Sequence, residues 1–199
     1  MATRPAPGQL EPLRAWSHDP AGPGRADRSE LDVAVLVYRG VSSTEVEVVS
    51  DALARPLGAS VRLVSADPGP VVAVEPARTI VTEPLAAVTA PYGLVIPGGL
   101  GWKREAGRAE VAAWLRAAAG GARGVLAVST GSLLLASVGA LTDQEATGHW
   151  LAGDLLAGLG ARPSSARIVH GRLLVTATGA RAGAEAAVEL AKEMRFAPP

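Results

Sequence analysis

The sequence contains no cysteine, and this absence removes several classes of site. Without thiolates the chain has no disulfides, no zinc–thiolate centre and no cysteine nucleophile. Aromatic residues make up 4% of the 199 residues, and the histidines number three: His18, His149 and His170. These histidines are too scattered in the sequence to suggest a ligand set, so we predict no metal site.

An excess of charge of either sign is also missing. Nineteen basic residues balance nineteen acidic residues, so no overall field attracts nucleic acid or an anionic membrane. No apolar run approaches the ~20 residues of a membrane span, and no apolar core marks a signal peptide near the N-terminus. We therefore predict a cytoplasmic protein that binds neither nucleic acid nor membrane.

Two regions differ in composition. Residues 1–30 are rich in proline, glycine, arginine and alanine with little apolar periodicity, which predicts a flexible N-terminal tail. The whole chain has an ordinary globular balance of 48% hydrophobic and 19% charged residues, and its 199 residues suit a single domain at 31–195 plus this tail.

Short apolar runs alternate with helical periodicity throughout residues 31–195. Apolar runs predict strands at 32–38, 60–65, 93–96 and 124–128, with hairpins near 71–82 and 167–176. Apolar residues at helical spacing predict helices at 43–56, near 111–118, at 133–138 and at 182–194. This alternation predicts an α/β fold: an open, mostly parallel, doubly wound sheet with helices on both faces, as in flavodoxin-like three-layer sandwiches.

Three loops follow predicted strands and contain residues able to carry chemistry. They are residues 39–44, 97–102 and 129–132. Ligands of open α/β sheets bind at the carboxyl ends of strands, so we expect these loops to meet around a small-molecule substrate.

Ser129 and Glu45 each allow two interpretations. Ser129 lies between a strand and a helix, as a nucleophile does in a strand–turn–helix elbow, but serine also serves as a helix N-cap. Glu45 follows Ser42 at capping-box spacing, but a carboxylate at this edge also suits acid–base catalysis. From spacing alone, the structural interpretation of each residue is favoured, and both roles of Glu45 are compatible.

The loop after the third predicted parallel strand contains Pro97, Gly98 and Gly99. Paired glycines let backbone N–H groups approach a ligand, although plain tight turns have the same composition. The glycines do not form a dinucleotide or phosphate-loop motif, so nucleotide binding has no support.

Four segments together resemble the ThiJ/PfpI superfamily, nearest its isonitrile hydratase and AraC-regulator-like branch. They are VAVLVYRGVSSTEVE (33–47), YGLVIPGGLG (92–101), VLAVSTGSLLLASVGALTDQEATGHW (125–150) and LLVTATGARAGAEAAVEL (173–190). The third is the most specific, since the family reads V-C-T-G-x-L-L-L-A there, followed by A-T-x-H-W. Ser129 stands where the family has its cysteine.

The resemblance implies a cofactor-free, usually dimeric enzyme, so we expect a homodimer. It implies that Ser129 occupies the nucleophile position, that Glu45 is the acid, and that the N–H groups of Gly99 and Thr130 form an oxyanion hole. It also places His149 near the nucleophile or the dimer interface. We expect the substrate-binding residues to be Gly40, Gly98, Trp102, His149 and Trp150, with the two tryptophans as pocket walls or dimer contacts.

Three explanations of Ser129 are open. It is a deliberate Cys→Ser change, or a natural serine at a site where Glu45 performs acid–base isomerisation or cyclisation, or a residue of a catalytically silent binding module. The leading hypothesis is an enzyme of hydratase, lyase or hydrolase type that acts on a small electrophile or specialised metabolite. Because no DNA-binding helix pair follows Met194, we do not expect an intact AraC-like regulator.

Overall fold

The computed structural model describes residues 31–196, and the predicted tail at 1–30 lies outside these residues. The strands are β1 (Asp32–Leu36), β2 (Ser60–Ser65), β3 (Gly69–Ala73), β4 (Arg78–Pro84), β5 (Gly93–Ile96), β6 (Gly124–Val128), β7 (Glu145–Ala146), β8 (Arg162–Pro163), β9 (Ile168–His170) and β10 (Leu174–Ala177). The helices are α1 (Ser43–Leu57), α2 (Trp102–Ala106), α3 (Ala109–Gly121), α4 (Gly131–Ser137), α5 (Gly153–Gly158) and α6 (Ala180–Phe196).

The central sheet has eight strands in the order β3-β4-β2-β1-β5-β6-β10-β9. Its inner pairs are parallel, and the two edge strands β3 and β9 run antiparallel to their neighbours. On the helical layers, α1 packs against α6, while α2 contacts α3 and α4. The predicted open, mostly parallel α/β sheet is therefore confirmed, including both hairpins.

The inner strands are buried because helices cover both faces of the sheet. Strands β5, β6 and β10 are buried at every position, which accounts for the uninterrupted apolar sequences of β5 and β6. Among the described residues, no helix is both long and apolar enough to cross a membrane.

Helix α1 begins as its sequence predicts, but the expected capping box is incomplete. The Glu45 N–H donates to the Ser42 hydroxyl at 3.4 Å, as an N-cap requires. The Glu45 carboxyl group does not return to the Ser42 N–H, which instead donates to the Gly98 carbonyl at 2.8 Å. The reciprocal half of the predicted box is therefore wrong, because Gly98 provides the partners of both groups.

Val41 and Ser42 form a short extended bridge between two other segments. Val41 pairs with Gly99 on one side, and Ser42 pairs with Val74 at the end of β3 on the other. The Val74 N–H donates to the Val41 carbonyl at 2.8 Å. These bonds hold the start of α1 against both the β3–β4 hairpin and residues 97–101 after β5, which are called the glycine loop below.

Candidate active site

Ser129 occupies the sharp turn between β6 and α4. Its φ is 56°, a left-handed conformation that costs a residue with a side chain about 1–2 kcal/mol. Its N–H donates to the Ala177 carbonyl at 2.8 Å, and its surface is 8% exposed. The N-cap of α4 is Thr130, so the helix-cap interpretation of Ser129 is wrong and the turn has the geometry of an elbow.

Glu45 is buried beside this turn. Its Oε2 accepts the Gly98 N–H at 2.6 Å, and 7% of the residue is exposed. Burial raises the pKa of Glu45 to about 7, with a further increase from the negative charge of Glu75, whereas the Gly98 N–H and the Ser129 hydroxyl lower it. At neutral pH the carboxyl group therefore exists in both protonation states, as acid–base catalysis requires.

Gly98 brings Glu45 and Ser129 together because it has no side chain. A Cβ on Gly98 would lie 2.7 Å from the Ser129 Cβ and 2.8 Å from the Thr130 nitrogen. The main chain can therefore pass directly against the elbow while its N–H reaches Glu45.

One of the two predicted oxyanion-hole donors, the Gly99 N–H, already has a protein partner in this structure. The Gly99 N–H donates to the Thr130 hydroxyl at 2.9 Å. The Thr130 hydroxyl in turn donates to the Gly99 carbonyl at 3.1 Å. A substrate oxygen would have to replace the Thr130 hydroxyl before Gly99 could stabilise it.

Tyr38 and Glu75 belong to the surroundings of Glu45, and neither is among the predicted site residues. The Tyr38 hydroxyl donates to the Pro97 carbonyl at 2.9 Å. A signal existed for this residue, since a tyrosine that ends a buried apolar run needs a partner for its hydroxyl. No sequence signal marks Glu75, because its effect on the Glu45 pKa depends on how the β3–β4 hairpin packs against the start of α1.

The remaining predicted substrate-binding residues have different burial and different hydrogen-bond partners. Gly40 has a φ of 83° and donates its N–H to the Val72 carbonyl at 2.8 Å, which is a backbone role. Trp102 is half-buried at the start of α2. The His149 ring accepts the Leu151 N–H through Nδ1 at 3.3 Å, and Trp150 is 81% exposed.

Gly148 connects the His149 segment to the elbow. A Cβ on Gly148 would lie 2.7 Å from the Ser129 carbonyl oxygen. The structure thus brings together Glu45, Gly98, Gly99, Ser129 and Thr130, while substrate contacts of His149 and the tryptophans stay predictions, as does the homodimer. Within residues 31–196, no three His, Asp or Glu side chains converge to hold a metal ion.

Sequence and structure comparisons place the chain in a family. Residues 32–193 match the DJ-1/PfpI family, and the chain belongs to it. An isonitrile hydratase from Pseudomonas putida is 32% identical over 169 residues, which cover 82% of this chain and 72% of that protein. The resemblance noted in the sequence is therefore confirmed.

Solved structures agree with this assignment. A ThiJ/PfpI family protein from Pseudomonas syringae has a TM-score of 0.72 and 28% identity, with coverage of 92% of this chain and 84% of that chain. Drosophila melanogaster DJ-1beta has a TM-score of 0.73 and 22% identity, with coverage of 83% and 90%, and so supports the fold alone.

Proposed function

We propose that this chain is a cofactor-free enzyme that hydrates a small neutral electrophile of the isocyanide type. The observation that carries this proposal is the buried Glu45 carboxyl group, whose pKa is raised to about 7 by burial and by Glu75 and which interacts with Ser129. Such a group can both donate and accept a proton near neutral pH. The 32% identity to an isonitrile hydratase supports isocyanides as the substrate class.

The proposed reaction joins water and R–N≡C to give the formamide R–NH–CHO. The Ser129 Oγ bonds to the terminal carbon while Glu45 takes the hydroxyl proton and delivers it to that carbon, which leaves an imidate ester. Water then adds to the imidate carbon, and a water proton passes to the nitrogen. The C–Oγ bond breaks as Ser129 regains its proton, so no oxidant or reductant is needed and Glu45 returns to its starting state.

A second candidate function uses Glu45 without a covalent intermediate. A carboxylate whose conjugate acid has a pKa of about 7 is a weak base toward a serine hydroxyl. Proton transfer within a substrate, as in isomerisation or cyclisation, needs only that carboxyl group. In this candidate Ser129 serves as a hydrogen-bonding group.

The test compares four proteins: the chain as it is, Ser129→Cys, Glu45→Gln and Glu47→Gln. Each is assayed with an alkyl isocyanide and with a reactive dicarbonyl. We expect Ser129→Cys to hydrate the isocyanide faster, because a thiol ionises more readily than a hydroxyl. Glu45→Gln should lower either rate by about 10²- to 10⁴-fold. Glu47→Gln removes an exposed carboxylate two residues away and should change little.

Different results separate the alternatives. If Ser129→Cys turns over neither compound and Glu45→Gln leaves ligand binding and stability unchanged, the enzyme proposal has no basis. A ligand retained by the purified protein without turnover would favour a binding module. Turnover without a mass-detectable adduct on Ser129 would favour the proton-transfer candidate.

A further inference from the structure

Two hydrogen bonds meet on the peptide group that joins Pro97 to Gly98. The Tyr38 hydroxyl donates to the carbonyl of this group at 2.9 Å. The N–H of the same group donates to the Glu45 Oε2 at 2.6 Å. Because the carbonyl and the N–H are the two ends of one conjugated, planar unit, the phenol, the peptide and the carboxyl group form one continuous chain.

We propose that Tyr38 is a positioning residue that acts on Glu45 through this peptide group. Hydrogen bonds in series polarise one another, so donation to the carbonyl makes the Gly98 N–H a stronger donor. A stronger donor holds the Glu45 carboxylate more firmly beside Ser129. The value of this for catalysis rests on the proposed function, whereas the coupling itself does not.

The surroundings of Tyr38 favour such coupling. The residue is 1% exposed, so water does not compete for the Pro97 carbonyl from that side. A Cβ on Gly101 would lie 3.0 Å from the Tyr38 ring, which shows that the ring packs against the glycine loop. Removal of the hydroxyl alone therefore leaves the packing in place.

The charged and titratable groups around Tyr38 and Glu45 keep Tyr38 protonated, so its hydroxyl stays the donor to the Pro97 carbonyl. Burial and the carboxyl groups of Glu45 and Glu105 raise the pKa of Tyr38, against a smaller opposing effect from the Thr130 hydroxyl. Tyr38 thus remains a neutral donor near neutral pH. Glu45 itself is influenced by Glu75 from the hairpin and by the Ser129 hydroxyl from the elbow.

The test uses Tyr38→Phe, with Tyr92→Phe as its matched control. Tyr92 also donates its hydroxyl to a backbone carbonyl, that of Met194 at 3.1 Å, but outside the site. NMR follows the Gly98 amide proton and the titration of the Glu45 side chain, which is assigned by its loss in Glu45→Gln. Neither measurement needs turnover.

We expect Tyr38→Phe to move the Gly98 amide resonance upfield and to raise the Glu45 titration midpoint by roughly 0.1 to 0.7 units. The midpoint rises because a weaker N–H donor stabilises the carboxylate less. Tyr92→Phe should change neither value. If the two variants fold and give the same Gly98 and Glu45 values, the proposal is overturned.

A second measurement protects the test against a Tyr38→Phe variant that fails to fold. Incorporation of 3-fluorotyrosine into the Tyr92→Phe protein places one fluorinated phenol at position 38. This phenol is more acidic and donates more strongly, so the Glu45 midpoint should fall, and an unchanged midpoint would contradict the coupling. If both NMR effects occur but no variant hydrates an isocyanide, the proposed function fails and the inference about Tyr38 stands.

Discussion

Gly98 lies at the point where the glycine loop touches the Ser129 turn. The space beside its Cα is filled by the Ser129 side chain and the Thr130 nitrogen, both within 3 Å of the point that a Cβ would occupy. Contact at that distance forces the main chain to move, since neither neighbour is the free end of a long side chain. Residue size at this one position thus decides whether Glu45 keeps its N–H partner.

We therefore predict that Gly98→Ala lowers the free energy of unfolding by about 1–3 kcal/mol, as overpacking does. It should also raise the titration midpoint of Glu45 above about 7, because the Gly98 N–H lowers the pKa of this carboxyl group. Gly120→Ala is the matched control, because a Cβ there meets nothing within 4 Å. Its position inside α3 predicts a gain of up to about 1 kcal/mol. Chemical denaturation measures both variants, and equal stabilities for the two would refute this account of Gly98.

At the scale of elements, the β3–β4 hairpin is fixed to the start of α1. The Ser43 N–H donates to the Val74 carbonyl at 2.8 Å. The Ser43 hydroxyl donates to the Pro76 carbonyl at 2.8 Å, and the Thr44 hydroxyl donates to the Glu75 carbonyl at 2.6 Å. Three successive carbonyls thus contact the first turn of α1, so the charge of Glu75 stays near Glu45.

We predict that Glu75→Gln lowers the pKa of Glu45 below about 7, since Glu75 raises it in the wild type. Loss of a nearby negative charge makes ionisation of the carboxyl group easier, so any activity that needs protonated Glu45 should decline at a lower pH. The difference should shrink in 1 M salt, where the screening length is about 3 Å. NMR titration of Glu45 measures the shift.

Asp51→Asn is the control for this prediction, because Asp51 is an exposed acid of α1 that pairs with Arg55 at 2.9 Å. It should leave the Glu45 titration unchanged. Identical midpoints in Glu75→Gln and Asp51→Asn would show that the hairpin charge has no part in tuning the site.

At the scale of the whole molecule, the pKa of Glu45 makes stability depend on pH. Burial raises this pKa from 4.5 to about 7 in the folded chain. Between these two values the unfolded chain has lost the proton while the folded chain keeps it, so the unfolded state binds fewer protons. The contribution of Glu45 to stability therefore falls as the pH rises from about 4.5 to about 7 and is constant above that range.

We predict that Glu45→Gln becomes more stable relative to the wild type as the pH rises. The difference in unfolding free energy should change by about 3 kcal/mol between acidic and weakly alkaline pH, from 1.36 kcal/mol per pKa unit. Denaturant titrations at several pH values measure it. Glu47→Gln, which removes the exposed partner of Arg78, should follow the wild-type trend. Parallel curves for wild type and Glu45→Gln would contradict the raised pKa.

The order of the fold and the meeting of the candidate site residues could be predicted from the sequence. Buried strands such as β5 and β6 are uninterrupted apolar runs, and apolarity and periodicity are local properties of the chain. Parallel strands place their carboxyl ends at one edge, so the meeting of Glu45, Gly98 and Ser129 also followed from topology. The family resemblance then predicted that position 129 is the nucleophile position.

The chemistry of these residues was decided by tertiary structure. Spacing alone could not show that the Glu45 carboxyl group accepts the N–H of Gly98, 53 residues away, instead of completing the capping box. It also could not show that the Tyr38 hydroxyl donates to a carbonyl 59 residues away. The pKa of Glu45 reflects burial together with groups from the hairpin, the glycine loop and the elbow. A protonation equilibrium depends on the sum of such neighbours, and only the folded chain assembles them.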